Sequence, residues 1–67
     1  MSIGKFLDMI DSIFFDSIII GTEETTLWIY SYNDLIPPDV LRLGFTRWTV
    51  ETIELATSQL THLVIYI

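Results

Sequence analysis

Apolar residues in the first part of the chain recur at helical spacing. Ile3, Phe6, Leu7, Ile10, Ile13 and Phe14 fall at i, i+3, i+4, i+7, i+10 and i+11, a single stripe that predicts an amphipathic helix over residues 3–16. Ser2 stands where an N-cap belongs. The opposite face carries Lys5, Asp8, Asp11, Ser12 and Asp16, with Phe15 set among the acids as an exposed aromatic.

The period then changes from helical to alternating. Ile18–Ile20 and Leu27–Tyr32 are β-branched and aromatic runs separated by a short polar stretch containing Gly21, which predicts a β-hairpin. Alternation in the second run puts Leu27 and Ile29 on one face and Trp28, Tyr30 and Tyr32 on the other, so neither face is plainly a solvent face.

Pro37 and Pro38 interrupt any regular element and bias Ile36 toward an extended shape. Pro38 can open a helical turn with Asp39 in its first turn and Gly44 as its stop. From Thr49 the pattern Val50, Ile53, Ala56, Leu60 fits a second helix, with His62 near a C-terminal end that suits the helix dipole. A strand over Leu63–Ile67 follows. The alternatives are two strands across the last third, which would need a turn at residues 56–59 with no Gly, Pro or Asn, or a helix to the end. The expected fold is therefore α+β, one domain over residues 1–67.

Residues 63–67 carry no charge, and a free apolar edge strand is a template for aggregation. The segment is expected to pair either with the hairpin around Ile18–Ile20 or with its own copy across a two-fold axis. A chain of 67 residues buries only about 60% of its unfolded surface, which favours the second arrangement, a homodimer.

Composition narrows the function classes. Hydrophobic residues make up 51% and the mean hydropathy is +0.52, too apolar and aromatic for a disordered chain. Without cysteine there is no disulfide and no thiolate metal site, and a single histidine leaves zinc without ligands. Neither metal nor cofactor is expected. The net charge of −6 disfavours direct nucleic-acid binding and attachment to an anionic membrane. Residues 55–67, the longest uncharged stretch, are too short for a spanning helix, and Asp8 and Asp11 break the order of a signal peptide. A cytoplasmic or host-cell cytoplasmic protein is expected.

Catalytic patterns are absent from the sequence. No nucleophile elbow occurs, the three glycines stand far apart at 4, 21 and 44, and the acids do not follow a calcium-loop order. His62 reads better as a capping or surface residue than as a general base. The expected activity is therefore non-enzymatic: a small acidic inhibitor or regulator that masks a larger protein, with carboxylates steering the encounter toward a basic surface of that partner. The candidate partner-binding residues are Asp8, Asp11, Phe15, Trp28, Tyr30, Arg42, Arg47 and Trp48, because aromatics and arginine dominate interface hot spots and acids steer association. The alternatives are a self-assembling structural homo-oligomer and a nucleic-acid mimic that occupies the basic cleft of a nucleic-acid enzyme.

Overall fold

A computed structural model describes residues 1–10 and 14–67. The elements run α1 (Ile3–Met9), β1 (Ser17–Gly21), β2 (Thr26–Ser31), α2 (Pro38–Leu41), β3 (Arg47–Glu54) and β4 (Gln59–Tyr66). The fold is α+β, with four strands among the described residues in the order β2-β1-β4-β3.

Two antiparallel hairpins, β1–β2 and β3–β4, lie side by side so that β1 and β4 pair in parallel at the centre. Parallel neighbours need a long crossover, and the segment carrying α2 supplies it. In the central pair, Ile18 stands beside Leu63 and Ile20 beside Ile65. These four side chains share one face, and with Ile3 and Phe6 of α1 and Val40 of α2 they form the buried core. Both helices therefore cover the same side of the sheet.

Local chemistry explains most of the boundaries. The Ser2 hydroxyl accepts from the Lys5 N–H at 3.2 Å, capping α1 as expected. Pro38 opens α2 with Asp39 in its first turn, also as expected. The Ile3 N–H donates to the Leu43 carbonyl at 2.9 Å, tying the start of α1 to the exit of α2.

Three expectations are corrected. The first helix stops at Met9, and Ile10 is already extended, instead of continuing to residue 16. Downstream, the Asp16 N–H donates to the Thr61 carbonyl at 2.8 Å and the Asp16 carboxylate accepts from the Thr61 N–H at 2.7 Å. That clamp holds residue 16 against β4, which a helix continuing through it would prevent. The places expected for Asp11 and Ile13 on the helix fall outside the described residues.

The second correction concerns residues 49–60, where two strands replace the favoured helix. The alternative two-strand reading is the observed one. The turn between them is closed by a 2.8 Å hydrogen bond from the Leu55 N–H to the Ser58 carbonyl, and no described residue has positive φ. A turn of this kind does not require glycine or asparagine. His62 consequently sits inside a strand, away from any helix dipole.

The third concerns pairing of the last strand. Both edges of β4 are occupied within the chain, by β1 and β3, so this strand is not available to a second copy. Leu63 and Ile65 have no exposed surface, which makes β4 the centre of the core.

Candidate functional site

Strand register sorts every side chain of the sheet onto one of two faces. Toward the helices run two rows, Trp28–Ile20–Ile65–Trp48 and Tyr30–Ile18–Leu63–Val50. The middle members are buried. Trp28 and Trp48 are the outer ends of one row, on opposite edges of the sheet, so these two candidate aromatics do not form one patch. Trp48 is half exposed yet lies 5.4 Å from the Phe6 ring, and Phe6 in turn stacks at a tilt 4.9 Å from Phe45. Tyr30 is half-buried against the core.

The other face is not covered by any described element. One row crosses it as Ile29–Ile19–Val64–Thr49, a second as Ser31–Ser17–His62–Glu51, and Tyr66 stands opposite both Gly21 and Arg47. Ile53 and Leu60 pair toward the β3–β4 turn. Ile29 is 65% exposed. An isoleucine so exposed on a face with isoleucine, valine and tyrosine neighbours is an apolar surface, not a lone exposed residue.

Arg47 shapes one end of this face. Its guanidinium lies 3.8 Å from the Tyr66 ring centroid and forms a charge-assisted hydrogen bond with the Glu23 carboxylate. That bond holds the guanidinium pKa above its usual value. Glu23 belongs to the β1–β2 turn, where the Thr22 hydroxyl accepts from the N–H groups of Glu24 and Thr25 at 3.3 and 3.2 Å. The turn thus reaches over β4 to β3. Beneath it opens a cleft of about 250 Å³ bordered by Ile19, Val64, Tyr66 and the carboxylates Glu23, Glu24 and Glu51. This is smaller than the roughly 300–1,000 Å³ of small-molecule sites.

The remaining candidates are scattered. Asp8 is exposed on α1. Arg42, at the end of α2, is exposed and lies 3.6 Å from Asp39. Phe15, expected to be an exposed aromatic among acids, instead packs half-buried against the core, because it enters from the segment clamped at Asp16 rather than from a helix. Phe14, expected in the core, is 75% exposed. Asp11 lies outside the described residues.

Sequence reasoning passed over the uncovered face itself. Its signal is present in Leu27–Tyr32, where both alternating sets are apolar, but the helix favoured over residues 49–60 left only Leu63–Ile67 as strand and so hid the strand pair that completes the surface. Among the described residues, no three of His, Asp or Glu come together as a metal cluster, and no helix is long and apolar enough to cross a membrane. His62 Nδ1 is buried without a hydrogen-bond partner among the described residues. Comparison with protein-family models, curated proteins and solved structures finds no match.

Proposed function

We propose that this chain is a non-enzymatic protein-binding module, a small acidic inhibitor or regulator that masks a surface of a larger cytoplasmic protein. The observation that carries the reading is the uncovered sheet face, where Ile29 is exposed and Ile19 and Tyr66 are half-buried around a buried Val64, beside Glu23, Glu24 and Glu51. Apolar contacts bordered by polar groups are the anatomy of a protein interface.

Charge defines the partner. The chain carries −6, and Arg42 and Arg47, two of its three bases, are each engaged by a carboxylate of the same chain. Such a surface attracts a basic partner and repels acidic ones, nucleic acid included. In this mechanism carboxylates accelerate the encounter, and the apolar face gives the complex its short-range affinity.

The test is affinity capture from the source cell with the immobilised protein and with Ile29→Asp, a change on the uncovered face and outside the core. A protein held by the native chain at low salt, released at high salt and lost with Ile29→Asp supports the reading. Recovery of the same proteins by both forms contradicts it.

A further inference from the structure

The two outer edges of the sheet are unlike each other. Natural proteins blunt exposed edges with bulges, prolines, charges or caps, because an unpaired ladder recruits another strand. On β2 the register shifts between Ile20 and Gly21, and the Ser31 N–H is taken by the Asp34 carboxylate at 2.8 Å. On β3 eight residues run without a register shift, proline or glycine. Trp48 and Val50 are exposed there.

The backbone of β3 is directional. The Leu55 N–H bonds to the Ser58 carbonyl, and bonded pairs alternate along an antiparallel ladder, so Ile53, Glu51 and Thr49 bond inward to β4. Trp48, Val50 and Thr52 then turn their N–H and C=O groups outward, where the sheet has no further strand among the described residues.

The sequence of that edge complements itself when read antiparallel. With a two-fold axis through Thr49, Thr49 faces Thr49 of the second copy, Trp48 faces Val50, and Arg47 faces Glu51. Each pair is of a favoured cross-strand type: Thr with Thr, aromatic with β-branched, and opposite charges. The outward groups of Trp48 and Val50 meet in bonded pairs in this register. A shift to a centre at Glu51 would set like charges directly opposite each other, which is destabilising. Arg47 and Glu51 lie on the same side of β3, as opposed residues of an antiparallel pair must.

We propose that a second copy of this chain is the partner of β3, forming a symmetric dimer through an eight-stranded sheet centred on Thr49. This goes beyond the reading of the uncovered face: it rests on the outward backbone of β3 and shares only Arg47 and Glu51 with that face, so its failure leaves the Ile29–Ile19–Val64 row of that reading intact. Pairing of so short an edge falls well short of the roughly 1,200–2,000 Å² of a stable interface, so the dimer is weak and concentration-dependent.

Sedimentation velocity at low salt, from about 10 µM to about 1 mM protein, tests it in the range of weak association. The native mass is expected to rise toward twice the monomer mass. Glu51→Arg, which sets two arginines opposite each other, remains monomeric, and Arg47→Glu with Glu51→Arg dimerises again. Val50→Pro removes an outward N–H, a replacement that an edge strand tolerates, and also remains monomeric. Circular dichroism verifies folding, and Glu51→Arg carries the test if the proline variant unfolds. A native protein that stays monomeric throughout overturns the proposal. So does a dimer indifferent to Glu51→Arg, or a folded double variant that does not reassociate.

Discussion

The guanidinium of Arg47 sits 3.8 Å above the ring of Tyr66, and the Glu23 carboxylate, carried by the turn of the other hairpin, holds it there. The contact links the two hairpins across the uncovered face. Arg47 is exposed to solvent, so its worth is geometric: it sets the shape of one end of the cleft. Arg47→Lys keeps the charge and loses the planar stack. The expected result is a clear change in the Tyr66 ring resonances with little change in melting temperature. Ring resonances unmoved by the substitution would mean that the guanidinium does not rest on the ring.

The phenylalanines rank in an order that the helical pattern does not give. Phe6 is buried against Phe45 and Trp48, and its truncation is expected to cost about 3–5 kcal/mol, much of the stability of a small domain. Phe15→Ala removes a half-buried ring and costs less. Phe14→Ala, at an exposed position, stays within about 0.5 kcal/mol of the native protein. Urea midpoints measure all three, and a large loss at Phe14 would contradict the described end of α1.

Gly21 and Gly44 make a matched pair of tests. A Cβ at Gly21 would collide with the Thr25 carbonyl oxygen and stand 2.9 Å from the Thr26 Cα, both backbone atoms of the tight turn. Gly21→Ala is therefore expected to destabilise by about 1–3 kcal/mol through forced backbone displacement. At Gly44 a Cβ meets only the Met1 carbonyl at 3.9 Å, so Gly44→Ala is neutral or stabilising by a few tenths through the unfolded chain. Equal melting temperatures for the two variants would contradict the turn geometry.

Removing residues 64–67 deletes the centre of the sheet. Ile65 has no exposed surface, and the lost residues carry ladder bonds to both β1 and β3. The truncated chain is expected to lose its fold by circular dichroism. Ile65→Lys is expected to do the same, because it buries an unpaired charge. A cooperatively melting truncation would show that β4 is dispensable.

The sequence-based expectation holds where the signals are local. Ser2, Pro38 and the stretch around Gly21 mark the starts and turns that are observed, and the runs Ile18–Ile20 and Leu27–Tyr32 form their hairpin. It fails where two periods coincide. Val50, Ile53, Ala56 and Leu60 satisfy a helical spacing, yet register sends Val50 toward the helices and Ile53 to the uncovered face. The β-branched residues Thr49, Val50, Thr52 and Ile53 were the sign that favoured a strand. The candidate aromatics were recognised as residue types, but Trp28 and Trp48 lie on different edges because β4 inserts beside β1, a non-local pairing invisible to local patterns.

Under the proposed function, the uncovered face receives a cationic, partly apolar segment of another protein. The most direct test is an NMR titration of the isotopically labelled chain with an amphipathic peptide of alternating leucine and lysine blocks, beside the same peptide with glutamate in place of lysine. The lysine peptide is expected to shift the amides of Ile19, Ile29, Val64 and Tyr66, salt to weaken the effect, and the glutamate peptide to cause none. Shifts confined to α1 and α2, or equal shifts from both peptides, would contradict it.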